Sequence, residues 1–415
     1  MTSTSKQILA KECIILFGTD NPMGLAAMRD IGSHGGKVIG LGYSATALAS
    51  TSKYCTAHYL RAQGERAVVH QVIELARTYG ASMLIAMSEP DIALFNRHRE
   101  QLSKHIRLLF PEADTINQIF DTKNALKQAA SVGIQTPKTV SISNMENIES
   151  VLGDVTYPVV LKWADPNAVA SRLHKVGLKV IKAEYAKSFD ELIGKLGKYS
   201  TLNIFPMIQE YCKGEGLGHM FLMYEGQALL EFQHHRIHEW EPEGGVSSLC
   251  MSVPLNEHVR AREKSRVLLE KLNWTGVAMV EYRYDVSSGT YLFMEVNGRF
   301  WGSLPLAIAA GVPFATGLVV SQIINDVTQF PKVFQAPYKR IKCLYFIPET
   351  KRLVRILFER KKIKDPLFKP RPFLSLLRYC FSFLSPYTHY YVFEWVDQRP
   401  FWSDVKNILW KLLKQ

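Results

Sequence analysis

The segment Tyr291-Leu-Phe-Met-Glu-Val-Asn-Gly-Arg299 is the most informative part of this chain. It begins as an apolar, aromatic strand, after which Glu295, Asn297 and Arg299 recur at every second position. Because side chains alternate between the two faces of a strand, these three lie on one face. A carboxylate, an amide oxygen and a guanidinium on one face suit a hard cation that is itself bound to phosphate. The oxygens would hold Mg²⁺ and the arginine would meet the phosphate oxygens.

A second strand-like segment, Val277-Ala-Met-Val-Glu-Tyr-Arg-Tyr-Asp285, comes before this one. A hairpin centred near Ser288 places Glu281 directly opposite Glu295. Two carboxylates paired across strands repel each other, and a bound cation would turn that repulsion into coordination. The alternative is a solvated polar face on an ordinary hairpin, and the hairpin alone does not separate the two interpretations.

Length and composition limit the class of protein. A chain of 415 residues is long enough for two or three domains with hydrophobic cores. Its hydrophobic content of 47% is ordinary for a globular protein. No apolar run reaches the roughly 18 residues that a membrane-spanning helix needs. The six cysteines are scattered without a CxxC pair, which indicates a reducing, cytoplasmic compartment rather than a disulfide framework or a zinc site.

The net charge of +12 is concentrated in the last part of the chain, residues 332–415. This segment carries 18 Lys and Arg against 6 Asp and Glu, together with 18 of the 46 aromatic residues, whereas residues 1–331 are neutral. Residues 373–384 form an apolar run too short to span a bilayer but able to lie on one. Two interpretations stay open: a packed subdomain with a basic surface, or a segment that contacts an anionic membrane surface or a lipid-linked or polymeric substrate. Nucleic acid is not favoured, because no motif beyond charge supports it.

The order of apolar segments predicts an α/β part followed by an α+β part. Residues 12–110 alternate short apolar strands with helical stretches, which is typical of a parallel sheet. The loop Gly18-Thr-Asp-Asn-Pro-Met-Gly24 follows the first strand, at the sheet end where ligands bind. It lacks GxGxxG, and no acidic residue ends the second strand, so a nicotinamide dinucleotide site is disfavoured. From about residue 155 the pattern becomes α+β, with strands predicted at residues 158–163 and 178–183.

Five segments together resemble the ATP-grasp superfamily in residue type, order and spacing. Relatives include D-alanine–D-alanine ligase, biotin carboxylase and the large chain of carbamoyl-phosphate synthetase. The resemblance covers about residues 12–325. The five segments are Asp121-Thr-Lys123, Val159-Val-Leu-Lys162, Gln209-Glu-Tyr-Cys-Lys-Gly214, Val280-Glu281 and Glu295-Val-Asn-Gly-Arg299.

This resemblance implies a three-part architecture: a Rossmann-like domain at residues 1–114, an ATP-grasp domain at 115–331 made of two α+β subdomains with ATP between them, and a basic aromatic extension at 332–415. It also implies the roles of individual residues. Lys123 and Lys162 would contact phosphates, Gln209, Glu210, Tyr211 and Cys212 would meet adenine, Glu281, Glu295 and Asn297 would bind two Mg²⁺ ions, and Arg299 would stabilise the transferring phosphoryl group. Mn²⁺ is an alternative metal. Glu215 is the acidic residue nearest to the expected ribose position, one residue out of register.

The reaction implied by the resemblance starts when a carboxylate attacks the γ-phosphate of ATP, giving an acyl phosphate and ADP. An amine then displaces phosphate, so the expected partners are a small-molecule carboxylate and an amine. A homodimer is also an open alternative. Two alternatives remain: carboxylation or carbamoyl-phosphate-type chemistry, and a non-catalytic ATP-binding module tethered by its tail. Many relatives have a glycine-rich loop after the strand lysine, whereas residues 164–177 here are poor in glycine.

The substrate side of the site is less well defined by the sequence. Residues 233–247 contain three histidines, but adjacent His234 and His235 point to opposite faces of a strand, which argues against a shared zinc ion. We interpret this segment as a substrate or phosphate loop with Arg236 as its bidentate arm, or else as a plain surface loop. The candidate substrate residues are Thr19, Asp20, Asn21, Ser88, Glu89, Arg236 and Trp301.

Overall fold

The computed structural model describes residues 9–413 apart from residues 147, 154, 182, 243, 244, 325, 364 and 366. Its first part is a five-stranded parallel sheet with the strand order β3-β2-β1-β4-β5. The central strand is buried along its whole length, which explains its continuous apolar sequence. The strands are β1 (Cys13–Phe17), β2 (Lys37–Gly42), β3 (Cys55–Leu60), β4 (Met83–Ala86) and β5 (Arg107–Leu108). The helices are α1 (Pro22–Ser33), α2 (Glu65–Tyr79), α3 (Glu89–Arg97) and α4 (Arg99–Leu102).

Two helices, α5 (Ala113–Phe120) and α6 (Thr122–Ser131), lead into a four-stranded antiparallel sheet with the order β6-β9-β7-β8. This sheet has its own hydrophobic cluster, formed with the helices of the same segment. A strand predicted at residues 178–183 is wrong, because the strand in this region is Glu184–Ala186 and Lys182 lies outside the described residues. The elements are β6 (Thr139–Val140), α7 (Ile148–Leu152), β7 (Val159–Lys162), α8 (Pro166–Lys175), β8 (Glu184–Ala186), α9 (Phe189–Gly197) and β9 (Met207–Glu210).

The largest sheet has seven strands in the order β14-β13-β10-β11-β12-β15-β16. Residues 233–240 belong to strand β11, so the predicted loop there is wrong; Glu243 and Gly244 lie outside the described residues. The elements up to residue 321 are β10 (Glu215–Tyr224), β11 (Gln227–Trp240), β12 (Val246–Ser252), α10 (Val259–Lys271), β13 (Gly276–Asp285), β14 (Thr290–Asn297), α11 (Leu304–Ala310) and α12 (Phe314–Ser321). The remaining elements are β15 (Lys342–Leu344), α13 (Phe346–Phe358), α14 (Pro372–Leu384), β16 (Thr388–Tyr390) and α15 (Arg399–Leu413).

Helices α11 and α12 are separated by a short break at residues 311–313. Gly311 has a φ of 108° and Pro313 follows it, so the chain turns sharply between the two helices. Within the described residues, no single helix is long and apolar enough to cross a membrane. Helices α11 and α12 together reach the necessary length and apolar composition, but the chain bends by 87° between them. Most residues of both helices are buried in the hydrophobic core.

Part of the basic C-terminal segment is built into the rest of the fold. Strand β15 pairs with β12, and β16 pairs with β15. The buried carboxylate of Asp397 accepts hydrogen bonds from Arg29 Nε at 2.9 Å and Ser52 Oγ at 2.6 Å, and Lys53 N donates to it at 2.9 Å. The C-terminal segment is therefore joined to both the large sheet and the N-terminal helices.

Candidate active site

The predicted pairing of Glu281 with Glu295 is confirmed in the hairpin of β13 and β14. The register shifts just beyond this pair, where Tyr282 lies opposite Phe293. Such a bulge bends the strand and redirects its side chains. Glu281 is buried whereas Glu295 is exposed, so the two carboxylates form a polar pair at the boundary between the sheet and solvent.

The period-two residues of β14 form one connected row. Asn297 Nδ2 donates to Glu295 Oε1 at 2.9 Å, and Arg299 Nη2 donates to Asn297 Oδ1 at 3.1 Å. No group of three or more His, Cys, Asp or Glu in the described part of the chain is placed to hold a metal ion. Two carboxylates and one amide nevertheless fit Mg²⁺, which usually keeps phosphate and water among its ligands. Asn297 would have to turn its amide so that the oxygen faces Glu295.

Arg236 reaches this hairpin from β11, across the backbone of β10. Its Nη2 donates to Glu281 Oε2 at 2.5 Å, and its Nη1 lies 3.5 Å from Glu239 Oε1. Gly216 lies between the two strands in register with Arg236, and a Cβ there would come within 2.8 Å of Arg236 Cδ. Arg236 therefore acts as a largely buried counter-ion for Glu281, and it lies on a strand and not on the predicted substrate or phosphate loop.

Burial and neighbouring charges set the protonation of this pair. Burial raises the pKa of Glu281, and the charges of Glu295 and Glu239 raise it further, while Arg236 opposes the shift. A raised pKa means that protons compete with a cation for this carboxylate. Metal binding at the hairpin should therefore strengthen as the pH rises through the pKa of Glu281.

Lys162 ends strand β7 and faces the same hairpin. Its Nζ donates to Gln209 Oε1 at 3.2 Å, and Gln209 Nε2 donates to Thr139 Oγ1 at 3.1 Å. Burial lowers the pKa of Lys162, and the nearby charge of Glu295 opposes that shift. The four-stranded sheet thus presents a fixed amine towards the carboxylates of the large sheet.

Hydrogen bonds hold the end of β9 and the connector that follows it. Glu210 N donates to Lys138 O at 2.9 Å, and Tyr211 OH donates to Asp365 Oδ2 at 2.9 Å. Burial raises the pKa of Cys212 to about 11, although the charge of Lys162 opposes the shift. A raised pKa favours the protonated thiol at neutral pH, which is the less nucleophilic form.

Two other predicted nucleotide residues lie on the surface. Lys123 is exposed in the first turn of α6. Its neighbour Thr122 donates through N and Oγ1 to Ala164 O, at 3.1 and 3.0 Å, which ties α6 to the segment after Lys162. Glu215 Oε2 lies 3.5 Å from His235 Nδ1 at the start of β10.

The N-terminal sheet adds a crevice to this arrangement. Its strand order reverses between β1 and β4, and ligands bind at such a switch point. Asp20, after β1, accepts from the backbone N of Tyr43 at 2.8 Å and of Ser44 at 3.0 Å. Asn21 caps α1 and Ser88 caps α3. These loops, with Glu89 beginning α3, lie at the switch point, where a ligand crevice is expected.

Glu89 connects the crevice to the hairpin. Its Oε1 lies 3.4 Å from Arg299 Nε. Burial raises the pKa of Glu89, the charges of Glu295 and Asp165 add to the shift, and Arg299 opposes it. The crevice at the switch point and the candidate metal-binding row are therefore adjacent.

No protein-family model matches the chain. It is 19% identical to a D-aspartate ligase of Enterococcus faecium over 251 residues, which is 59% of each chain. It is 22% identical to biotin carboxylase 1 of Bacillus subtilis over 247 residues, which is 55% of this chain and 53% of that protein. The chain thus spans less than two thirds of the length of the curated relatives that it matches.

Solved structures show a similar architecture. The L-amino acid ligase from Bacillus licheniformis has a TM-score of 0.60 at 14% identity, covering 80% of this chain and 79% of that one. A second similar structure is the biotin carboxylase domain dimer of the Hydrogenobacter thermophilus 2-oxoglutarate carboxylase, solved with MgADP, ADP and bicarbonate. Its TM-score is 0.56 at 14% identity, and the match covers 74% of this chain and 69% of that one. This chain has the ATP-grasp fold. The predicted fold class is therefore confirmed.

Three residues at the crevice were not predicted. Tyr43 OH donates to Asp91 Oδ1 at 2.6 Å, and Arg61 Nη1 lies 3.3 Å from the same oxygen. The Arg61 guanidinium also lies 4.5 Å from the centre of the Tyr43 ring. Their position could have indicated them, because Tyr43 and Arg61 directly follow strands of a parallel sheet.

Two candidate substrate residues are inaccessible in the ATP-grasp fold. Trp301 is 1% exposed and packs edge-on against Phe314 at 4.9 Å, so its predicted contact with substrate is wrong. Thr19 is fully buried and its Oγ1 lies 3.0 Å from His58 Nε2. Both residues support the core next to the crevice and do not line it.

The histidines of β11 lie in different environments. His234 Nδ1 lies 2.7 Å from Ser303 Oγ, and burial lowers the pKa of His234 well below its ordinary value. The ring of His235 lies 5.1 Å from that of His258. Adjacent strand residues point to opposite faces, so His234 and His235 do not share one ligand site.

Gly218 should be intolerant of a side chain. A Cβ there would lie 2.6 Å from His234 Nε2, and that ring is held by Ser303. We expect Gly218→Ala to lower the free energy of unfolding by about 1–3 kcal/mol through overpacking. Urea unfolding measures the change. Gly194→Ala is the control, since Gly194 has open space, and equal stability of the two variants would contradict the prediction.

Proposed function

We propose that the protein is an ATP- and Mg²⁺-dependent ligase that joins a carboxylate to an amine through an acyl phosphate. The contact between Arg299 and Glu89 carries the proposal, because it sets the hairpin beside the switch-point crevice. Phosphoryl transfer asks a protein mainly for positioning and charge neutralisation. A phosphate-binding arginine at the edge of a ligand crevice supplies both. The proposal divides the chain at residues 1–114, 115–331 and 332–415.

The nucleotide would lie between the four-stranded and the seven-stranded sheet. Lys162 and Lys123 would bind its phosphates, and backbone groups at Gln209–Cys212 would meet adenine. Glu210 and Tyr211 belong to this connector, while Glu215 remains the candidate for ribose. The donor set at the hairpin supports two Mg²⁺ ions, with Mn²⁺ as a substitute, since Mn²⁺ accepts the same oxygen ligands. The metal, when bound, would neutralise charge on the phosphates.

The protein's own groups would then act as follows. Arg299 would hold the oxygens of the transferring phosphoryl group, with Glu89 fixing its guanidinium. Arg236 would favour the ionised form of Glu281 by pairing with it, against the effect of burial. The carboxylate of Glu89, with its raised pKa, would accept a hydrogen bond or a proton from the incoming amine. Asp20, Asn21 and Ser88 would shape the crevice for the substrate.

Substrate dependence separates this proposal from its rivals. The test supplies Mg·ATP with a pool of carboxylic acids, a pool of amines, or both, and measures ADP release. We expect ADP release only when an acid is present, full turnover only with both pools, and a hydroxamate when hydroxylamine replaces the amine. ADP release with bicarbonate alone would favour carboxylation, which the biotin carboxylase relative makes the first rival. ATP binding without turnover on any pool would favour a non-catalytic module.

Lys162→Met should weaken ATP binding. The substitution removes the ammonium group and keeps most of the side-chain length, so we expect the Kd for ATP to rise about tenfold or more, equivalent to about 1.4 kcal/mol. Equilibrium dialysis with Mg·ATP measures this constant. Lys127→Met removes an exposed ammonium from α6 and should leave the Kd unchanged. An unchanged Kd for the Lys162 variant would remove Lys162 from the phosphate site.

Compartment and assembly belong to the same proposal. The six cysteines are free, which supports a reducing, cytoplasmic compartment. The Hydrogenobacter thermophilus relative is a dimer, which supports a homodimer here. Sedimentation of the purified protein measures the mass in solution.

A further inference from the structure

Helix α14 has an unusual environment for an apolar helix. Its sequence, Pro372-Phe-Leu-Ser-Leu-Leu-Arg-Tyr-Cys-Phe-Ser-Phe-Leu384, is mostly apolar, yet none of its 13 residues is buried. The exposed fractions of Phe373, Phe381 and Leu384 are 75%, 63% and 75%. Several large apolar side chains exposed together mark an interaction site.

Four of the six large apolar side chains that this helix exposes share one face. Phe373, Leu377, Phe381 and Leu384 follow the spacing i, i+4, i+8 and i+11, which places them in a single stripe. We call these four residues the outer stripe. Among the described residues, the outer stripe is exposed, whereas the other side of the helix makes contacts with the protein.

The other side of α14 packs against α13, which fixes its orientation. Tyr379 OH lies 2.7 Å from Thr350 Oγ1, and the rings of Phe383 and Phe346 are 6.0 Å apart. The outer stripe therefore faces away from the body of the protein.

The same part of the chain exposes other large apolar side chains. In the described part of the chain, 16 of the 28 exposed large apolar side chains lie within residues 346–410. Three of these are tryptophans, Trp395 at 79%, Trp402 at 58% and Trp410 at 57% exposure. Tryptophan favours the boundary between water and lipid, because its ring is amphipathic.

The chain immediately before and within α14 carries only positive charges. Between Asp365 and Glu394 the sequence has no acidic residue, whereas Lys369 and Arg371 precede the helix and Arg378 lies within it. Such a surface is complementary to an anionic one. A second copy of this chain docked by two-fold symmetry on the outer stripe would instead bring like charges together.

We propose that α14 docks this protein on a membrane surface that contains anionic lipid, with the outer stripe among the acyl chains. A helix of 13 residues is about 20 Å long, so it would lie along the surface and would not cross the bilayer. Lys369, Arg371 and Arg378 would pair with lipid phosphates. This proposal goes beyond the ligase activity and does not depend on it.

The experiment uses the full chain and sedimentation with vesicles of phosphatidylcholine, with and without phosphatidylglycerol. We expect binding to the anionic vesicles only, and binding that weakens with salt, since the screening length falls to about 8 Å at physiological ionic strength. The triple variant F373S/L377S/F381S should lose binding about tenfold or more, because burial of apolar side chains drives insertion. Thermal unfolding and ATP binding of this variant check that it is folded.

A matched control removes three exposed apolar side chains elsewhere. V151S/V267S/V286S changes valines that are 48%, 41% and 65% exposed, and it should bind vesicles like the wild type. Three outcomes would overturn the proposal. They are undiminished binding by the folded triple variant, no binding of the wild type at low salt, and a dimer of the wild type that the triple variant dissociates. The last of these would assign the outer stripe to a second copy of the chain.

Discussion

Glu295→Gln should lower turnover by about a hundredfold or more at saturating Mg·ATP, the loss expected when a main electrostatic stabiliser is removed. The substitution keeps the shape of the side chain and removes one formal charge from the donors at the hairpin. In the metal-free protein Asn297 can still donate to the remaining carbonyl oxygen, so the row that orients Arg299 there is kept. The loss of turnover would therefore be caused by the missing charge at the metal and phosphate, and not by a displacement of the strand.

The same substitution should have little effect on folding. Glu295 is exposed at the edge strand, and its charge raises the pKa of the buried Glu281 directly opposite. Removing that charge relieves a repulsion in the metal-free protein and offsets contacts that are lost. The measurements are kcat at rising Mg²⁺ concentration and urea unfolding without Mg²⁺, with Glu263→Gln on α10 as control. Near-normal turnover at saturating Mg²⁺ would rule out Glu295 as a metal ligand.

The hairpin could be predicted from sequence because its rules are local. Side-chain alternation places Glu295 and Asn297 on one face, and a short turn fixes which residue lies opposite Glu295. Both rules need only residues close together in the chain. The structure agrees with them up to the bulge after Glu281.

The path of Arg236 could not be predicted in the same way. It depends on β10 lying between β11 and β13, an order that differs from the order of the strands in the chain. It also depends on Gly216, which leaves room for the arginine over the strand. The contact of Arg299 with Glu89 likewise joins distant parts of the chain, and no local pattern indicates it.

Burial was the other property that the sequence pattern did not specify. Trp301 follows the β14 row closely in sequence, yet it packs into the core because α12 covers it. The converse holds for α14, whose apolar composition predicts a helix but not which face is covered. In both cases the position of another helix decides which side chains are buried. That position depends on distant parts of the chain, so the nearby sequence does not indicate it.

Asp397→Ala should destabilise the protein strongly, because this carboxylate joins the C-terminal segment to the N-terminal helices. It is 3% exposed and pairs with Arg29, which is itself 7% exposed. Removing one partner of a buried ion pair costs about 3–5 kcal/mol, since the other charge stays buried. We expect the lower end of this range, because Glu394 also lies 3.1 Å from Arg29 Nε.

Glu394→Ala is the matched control for this prediction. Glu394 contacts the same guanidinium nitrogen, but its side chain is 47% exposed, so its loss should cost less than about 1 kcal/mol. Urea unfolding of both variants gives the two free energies. If Asp397→Ala lowers the free energy of unfolding much more than Glu394→Ala does, the buried carboxylate of Asp397 anchors this part of the chain to α1. Equal effects of the two substitutions would instead mean that this anchor contributes no more than an ordinary surface ion pair.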